Sequence, residues 1–486
     1  MKDYLKTHKS FLVQASLIVL WGIGCFVCLD SCYRYHFFYE EQNQLFLLDS
    51  EYCLQYLRHP AWLACLVGDF LTQFYYYIFA GPAIVTLLLL TLGDLLRRDL
   101  DRQAARLPLG TRGKVVVGWA TFVVALVVMS IEARFCLDSQ YRLSSVVALV
   151  GGAAMWFLFD CLCRRMRWWL RCIMFIPALA VTYWLFGRGW LLLLGIEALS
   201  VALLAVLLVG AALGAMIVYV AAPKMNLQGS VALTYPGNAK MVAMDQVRSE
   251  ERNLEIDNEY YFGHYARVVS LYEKQKEEPS DVMSFYYSLA LAQMDVLPEK
   301  LMEMKHPFLG TFLTIGEDTP LYTIKMINDL YWAIGDMTYT ERAALLANTF
   351  SREGRNVRMV RRLAEANIVK GDEAAAEKYL RLLRKTLVYR RWARDHSAAT
   401  MTAPVKMEME KKRTFLNTTD HIRLGDDCYT ILTQLLDSNP DNTIALTYLL
   451  CSDMLSHQKE TFVRDYERYG NGGKMIFQQL YSNIQK

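Results

Sequence analysis

The residues with the clearest chemical potential are acids in one short segment, residues 30–69, between two apolar stretches of the chain. Besides His36, this segment carries four neighbouring carboxylates: Glu40, Glu41, Asp49 and Glu51. Carboxylates beside a membrane can bind a metal ion or act as a general base, as in enzymes that use lipid-linked sugars. The acids also alternate with leucines and aromatic residues, which predicts an amphipathic helix over Glu40–Leu57 on the bilayer surface. We favour the surface helix and keep catalytic acids as the alternative.

A second charged segment, residues 352–394, carries thirteen Lys and Arg against five acids, a net charge of +8. At helical spacing its arginines would share the faces of two neighbouring helices and form one basic strip. Such a strip could bind an acidic protein or anionic lipid headgroups, or it could simply be a solvated face. The residues predicted to bind a partner are Arg358, Arg361, Arg362, Arg381, Arg384, Arg390 and Arg391. Nucleic acid is not expected, because no nucleic-acid-binding module accompanies the charge.

Motifs of enzyme chemistry are absent from the sequence. It contains no phosphate-binding glycine loop, nucleophile elbow, HExxH motif or dinucleotide fingerprint. The spacing Cys25-x2-Cys28-x3-Cys32 superficially suggests a metal site, but it lies in or beside an apolar segment and has neither a histidine nor a paired knuckle. We therefore predict neither a metal nor a cofactor.

The elements that must position these residues include long apolar segments, in a chain of 486 residues that is 54% hydrophobic and 21% charged. Helices of roughly 20 apolar residues cross a bilayer. Nearly uncharged windows occur at Phe11–Leu29, Phe70–Leu92, Val115–Ile131, Leu143–Cys163, Cys172–Gly187 and Trp190–Ala222. The chain is thus predicted to be a multi-pass membrane protein followed by a soluble tail.

The distribution of basic residues predicts the orientation of these spans. Residues 1–10, 93–114 and 164–171 together carry thirteen Lys and Arg, whereas the alternate segments carry five. The N-terminus is therefore predicted to be cytoplasmic and residues 30–69 to lie outside. Charged residues near the spans lie at their ends, which argues against ion-coupled transport.

The last window decides the side of the tail. Two spans need about 17 residues each, and one straight helix over all 33 residues of Trp190–Ala222 would be too long. We predict one tilted span, Ala198–Ala221, with Glu197 at the outer interface. This gives six spans and a cytoplasmic tail, and seven spans would put the tail outside. Gly210 and Gly214 form a small-xxx-small face that could pack within the bundle or form a homo-oligomer.

The tail shows apolar residues at helical spacing, punctuated by turns. The turns are predicted at Gly263, Gly335-Asp336, Gly371-Asp372 and Asn439-Pro440-Asp441. Helix hairpins at a period near 34 residues are typical of tetratricopeptide repeats, although the spacing here is irregular and a generic helical bundle is the alternative.

Four stretches carry a resemblance: "EEQNQLFLLDSEYCLQYLRHP", "GDFLTQFYYYIFAGP", "GHYARVVSLYEK" and "AEKYLRLLRKTLVYRRWARDH". With them the chain resembles a bacterial family of multi-pass inner-membrane proteins of unknown function with a tetratricopeptide-like helical tail. The resemblance depends on Glu41, Gln42, Gln44, Phe46, Pro60, Phe70, Gln73, Phe74, Pro82 and Tyr389–Trp392. One departure is Ala61-Trp62 after Pro60, where the resemblance leads us to expect glycines. The resemblance implies an inner-membrane protein and supplies no activity for it.

Together these patterns predict an all-α protein with a bundle of about six transmembrane helices and a soluble helical-repeat domain. The predicted domains are a transmembrane domain over 1–222, a linker over 223–249 and a repeat domain over 250–486. The predicted function is a membrane-anchored scaffold that binds the lipid bilayer and another protein through its tail. The alternative is an envelope-glycan or lipid-linked-sugar enzyme that uses the acids of residues 30–69. The predicted location is the bacterial inner membrane, with a cytoplasmic tail.

Overall fold

The computed structural model describes residues 2–105, 110–138, 141–192, 195, 243–301, 303–304, 318–351, 354–417, 427–470 and 475–485. These residues form helices, and no strand occurs among them. By its internal contacts the chain divides into two compact units. The first unit comprises Met1–Glu41 and Leu48–Glu251, and the second comprises Gln42–Leu47 and Arg252–Lys486.

The first unit contains eight of the described helices and part of a ninth. They are α1 (Lys2–Cys32), α2 (Arg34–Gln42), α3 (Ser50–Tyr56), α4 (Trp62–Thr72), α5 (Ala80–Ala104), α6 (Thr111–Phe135), α7 (Leu143–Cys163), α8 (Trp168–Phe186) and the start of α9 (Met244–Tyr261). A 3₁₀ turn, Gln73–Tyr76, follows α4.

Five of the described helices are long and apolar enough to cross a membrane. The candidate spans are Leu12–Cys32, Ala80–Ala104, Gly113–Phe135, Leu143–Cys163 and Trp169–Phe186. They coincide with or overlap the first five predicted windows, so the expectation of several apolar helices is confirmed. The predicted sixth span, Ala198–Ala221, lies outside the described residues, as do Glu197, Gly210 and Gly214.

The predicted window Phe70–Leu92 is wrong as a single helix. Its first residues end α4, the 3₁₀ turn Gln73–Tyr76 follows, and Phe79 takes a left-handed conformation with φ +68° directly before the next helix. Helix α5 begins at Ala80, where Pro82 fits in the first turn because the N–H that proline lacks would have no helical partner there. The candidate span therefore extends towards Ala104 rather than starting at Phe70.

The predicted surface helix Glu40–Leu57 is also wrong. Helix α2 ends at Gln42 and α3 begins at Ser50, and residues 44–49 between them are not helical. Leu45 and Phe46 are buried rather than lipid-facing. An alternation of acidic and apolar residues does not distinguish a surface helix from an irregular segment that packs on both sides.

The core of the first unit combines a cluster of aromatic and aliphatic side chains with a close helix contact at a glycine. Tyr33, Phe37 and Tyr75 pack with Val85 and Leu89 of α5. Helices α4 and α7 meet at Gly68, where an added Cβ would lie 2.6 Å from the Cα atom of Ser144. At the start of α4, Ala61 has φ +64°, a conformation that favours glycine, at the position where the resemblance led us to expect one.

The second unit contains the helices of the tail. After α9 come α10 (Tyr265–Glu273), α11 (Asp281–Gln293), α12 (Leu297–Leu301), α13 (Leu321–Ile334), α14 (Met337–Phe350), α15 (Val357–Lys370), α16 (Glu373–Arg384), α17 (Arg390–Asp395), α18 (Ala403–Arg413), α19 (Cys428–Ser438), α20 (Thr443–Leu455), α21 (Lys459–Tyr469) and α22 (Met475–Gln485). Their main core includes Tyr286, Leu289, Leu330, Leu432 and Leu449.

The predicted turns of the tail are confirmed. Gly335 and Gly371 end α13 and α15 in the left-handed conformation, with φ +85° and +82°. Asp336 and Asp372 follow them, and each accepts a hydrogen bond from a backbone N–H in the first turn of the next helix. The pairs α13–α14 and α15–α16 are thus two helix hairpins whose turn glycines lie 36 positions apart.

The division between the units lies within α9, near the predicted start of the repeat domain at residue 250. Residues 243–249, which were predicted to be linker, lie at or in the start of this helix, and residues 223–242 are outside the described residues. The assignment of residues 42–47 to the second unit was not predicted.

Candidate functional site

A buried polar site among the described residues of the tail holds a short piece of the chain that runs from the last residue of α2 towards α3. We call residues 42–47 the captured segment. Its first side chain, Gln42, is buried and has both ends of its amide occupied. The Gln42 Oε1 atom accepts from Arg358 at 3.1 Å, and the Nε2 atom donates to Asn258 Oδ1 at 2.7 Å. A side chain that both accepts and donates here is thereby selected over a carboxylate or an apolar group.

Arg358, on α15, is the centre of this site. Its guanidinium lies 2.7 Å from an oxygen of Asp257 and 2.6 Å from an oxygen of Asp329, and all three side chains are fully buried. Arg362, one turn later, contacts the other oxygen of Asp329 at 3.2 Å. Tyr286 donates to Asp329 at 3.2 Å. Buried charges of this kind persist only when they are paired and hydrogen-bonded, so the network ties α9, α13 and α15 together.

The next residues of the captured segment are bound by a second set of groups. Asn43 Oδ1 accepts from Asn356 Nδ2 at 3.1 Å and from the Nζ atom of Lys325. Lys325 is fully buried, and burial followed by the nearby Arg358 charge lowers the pKa of its ammonium to about 7. The polar part of the site therefore selects an amide at Gln42 and a hydrogen-bond acceptor at Asn43.

Backbone and apolar contacts complete the site. The Gln44 carbonyl accepts from the Val357 N–H at 3.3 Å, at the first residue of α15. Leu45 packs into an apolar cluster with Val357, Leu380 and Leu383 of the α15–α16 hairpin. The arrangement thus holds a segment of its own chain through side-chain hydrogen bonds, one backbone hydrogen bond and an apolar contact.

The predicted basic strip does not form as one surface. Arg358 and Arg362 are buried in ion pairs, and the guanidinium of Arg361 lies over the rings of Tyr261 and Trp392, at 5.1 and 4.5 Å. The three arginines do share one face of α15, as predicted, but that face points into the tail. A sequence signal for this was Asp329 within a largely apolar and aromatic stretch, because buried carboxylates require cationic partners.

The other four predicted arginines lie at the surface. Arg381, Arg390 and Arg391 are exposed, and the Arg391 side chain is 85% accessible. Arg384 is half-buried and donates to Glu377 at 2.9 Å and to Ser397 at 3.0 Å. The exposed members of the predicted set thus lie on α16 and α17. We call Lys378, Arg381, Lys385, Arg390, Arg391 and Arg394 the basic face.

The four predicted acids of residues 30–69 occupy different surroundings. Glu40 is half-buried on α2 and accepts from the Tyr33 hydroxyl at 3.4 Å, and burial raises the pKa of its carboxyl to about 8. Glu41 is buried, Asp49 precedes the first turn of α3, and Glu51 is exposed in that turn. Within the described ranges, no group of three or more His, Cys, Asp or Glu residues could hold a metal ion.

One acid–histidine pair near Glu40 was not predicted. The His36 Nδ1 atom lies 2.6 Å from Glu251 Oε2, and its Nε2 atom lies 3.6 Å from Glu250. Burial lowers the pKa of His36, but the bonds to the two glutamates outweigh burial, so its pKa lies above its ordinary value. The pair fastens α2 to the start of α9, because Glu251 also accepts from the backbone N–H groups of Tyr35 and His36 at 2.7 and 3.2 Å.

Comparison with known proteins identifies one related group. The sequence profile of a family of unknown function, DUF6057, matches residues 9–483. No curated protein and no solved structure matches the chain.

Proposed function

Since this chain belongs to the family of unknown function DUF6057, we propose its role from its own residues: it is a membrane-anchored scaffold that binds another protein through its helical tail. We place it in the bacterial inner membrane, where the five candidate spans would anchor it. Its hairpins, spaced like degenerate tetratricopeptide repeats, would supply a binding surface.

The observation that carries the proposal is that some cations of the tail are buried in its interior and others are exposed. Arg358, Arg361 and Arg362 contact groups inside the tail, whereas the basic face stays exposed. Helix α16 buries Ala376, Leu380 and Leu383 and turns its basic residues outward. A concentration of exposed positive charge favours an acidic protein partner and a salt-sensitive association.

Reversal of three charges on the basic face tests this proposal. The variant carries Arg381→Glu, Arg390→Glu and Arg391→Glu, and the matched control carries Lys274→Glu, Lys276→Glu and Lys406→Glu at exposed positions elsewhere in the tail. Full-length proteins are cross-linked in cells and purified from membranes, and their cross-linked neighbours are compared. We expect the control to keep the wild-type neighbour and the basic-face variant to lose most of it. Equal recovery from both variants would contradict the proposal.

Glu40 keeps an enzymatic alternative open, because a carboxyl with a pKa of about 8 holds its proton at neutral pH and could act as a general acid. Glu40→Gln separates the two functions, since the amide is nearly isosteric and cannot transfer the proton. As a scaffold, the variant should complement a deletion strain like wild type. Loss of complementation with normal membrane insertion would favour the enzyme.

The same variant should also change how the stability of the protein depends on pH. The folded protein keeps the Glu40 proton over the range from about pH 4.5 to 8 in which the unfolded chain loses it. Wild-type stability should therefore fall as the pH rises through this range, and Glu40→Gln should remove that part of the decline. Thermal unfolding in detergent across the range measures it. Parallel profiles for both proteins would show that Glu40 ionises normally.

A further inference from the structure

We infer that the tail lies on the same side of the membrane as the segment between the first two candidate spans, and that this side is extracytoplasmic. The consequence for the partner, which must then be an extracytoplasmic protein, rests on the proposed function. The side itself does not depend on that proposal.

The first step is that the captured segment is an integral part of the tail. Gln42, Leu45 and Phe46 are buried, and Gln42 fills the gap between Arg358 and Asn258. Removing Gln42 would leave part of the Arg358 guanidinium without its acceptor inside the tail. A contact of this kind forms while the unit folds, and it requires both pieces of chain to be on one side of the bilayer.

The second step is the connection of the captured segment to the spans. It lies between the candidate spans Leu12–Cys32 and Ala80–Ala104, and the described chain contains no further candidate span between them. Everything from Tyr33 to Phe79 therefore belongs to one side. The tail shares that side, so the chain crosses the membrane an even number of times between Phe79 and Arg252.

This parity conflicts with one of the sequence predictions. Six spans would put five crossings between residues 30–69 and the tail, an odd number, and so would place contacting residues on opposite sides. The four candidate spans described in this interval are an even number: Ala80–Ala104, Gly113–Phe135, Leu143–Cys163 and Trp169–Phe186. A cytoplasmic tail and an outside residue 42 cannot both be correct.

The third step assigns the shared side. Residues 93–114 and 164–171 comprise the connections after the second and fourth candidate spans together with the adjoining helix ends. They carry ten Lys and Arg, whereas residues 30–69 and 132–142 carry four. Short basic connections stay in the cytoplasm, and large domains are translocated largely regardless of their charge. Residues 30–69 are thus outside, and the tail is outside with them in spite of its own basic face.

The experiment determines the side of the membrane at three positions, each tagged in a separate variant. An epitope tag is inserted after Arg58, in the exposed stretch between α3 and α4, and in a second variant it follows Lys486. A third tag, after Arg165 in the basic connection between α7 and α8, is the cytoplasmic control. Each variant is expressed in a Gram-negative bacterium, and antibody binding is measured on intact spheroplasts and again after permeabilisation.

We expect the tags after Arg58 and Lys486 to bind antibody on intact spheroplasts and the tag after Arg165 to bind only after permeabilisation. Opposite accessibility of the first two tags would overturn the shared side. Protection of both would overturn the extracytoplasmic assignment. Because a tag can disturb insertion, a variant with Gln44→Cys and Arg355→Cys, two half-buried positions beside the Gln44–Val357 hydrogen bond, is also treated with a short membrane-permeable bismaleimide in intact cells. A link between the two positions, absent from either single variant, supports the shared side, and its absence counts against it. None of these readouts requires a partner, so failure of the scaffold proposal would leave them unchanged.

Discussion

At the scale of single residues, Arg358 holds together a buried network of charged and polar side chains. Two buried carboxylates, Asp257 and Asp329, depend on its guanidinium, and Gln42 accepts from it as well. Removal of one partner of a buried ion pair leaves uncompensated charge and costs about 3–5 kcal/mol. We therefore expect Arg358→Met to lower the unfolding temperature of the tail strongly, as followed by circular dichroism of the purified protein in detergent.

The matched control is Arg381→Met, which removes the same charge from the exposed face of α16 and should change stability by about 0.5 kcal/mol or less. Adding Asp257→Asn to Arg358→Met removes one of the stranded carboxylates and should recover part of the loss. Equal effects of Arg358→Met and Arg381→Met would mean that the buried network contributes nothing to stability.

At the scale of helices, the two turn glycines offer a matched comparison. Gly335 and Gly371 both end a helix in the left-handed conformation, which costs a residue with a side chain roughly 1–2 kcal/mol. An added Cβ at Gly371 would meet nothing within 4 Å, but at Gly335 it would lie 2.7 Å from both the Cβ atom and the carbonyl oxygen of Phe415. Gly335→Ala should therefore destabilise the tail more than Gly371→Ala, and thermal unfolding of the two variants measures the difference. If the two substitutions are equivalent, the close approach of Phe415 to the α13–α14 turn is not maintained in solution.

At the scale of the whole molecule, the tail is incomplete without a segment that lies about 200 residues earlier in the chain. A fragment of residues 244–486 lacks Gln42 and Leu45, so part of the Arg358 site and of the cluster around Leu383 is empty. A peptide of residues 40–49 should raise the unfolding temperature of this fragment progressively with peptide concentration, and a hundredfold excess over the Kd corresponds to about 2.7 kcal/mol of stabilisation.

The control peptide carries Gln42→Ala and Leu45→Ala and should have little effect at the same concentration. A fragment that is fully stable alone and indifferent to both peptides would show that the captured segment is only a passive neighbour. This measurement is independent of where the membrane lies.

The sequence by itself determined the features that arise from local patterns. Apolar windows of sufficient length identified α6, α7 and α8, because the demand for about 20 apolar residues is a property of the segment alone. The turns at Gly335 and Gly371 were equally readable, because glycine followed by aspartate satisfies both the end of one helix and the start of the next. Only the tertiary structure decided which way charged faces point and which distant residues meet. Arg358 and Arg381 look alike in a list of basic residues, yet one is buried against acids on α9 and α13 and the other is exposed. The captured segment carries no local sign of its destination, because its partners lie more than 200 residues away and pairing at that distance leaves no periodicity in the sequence.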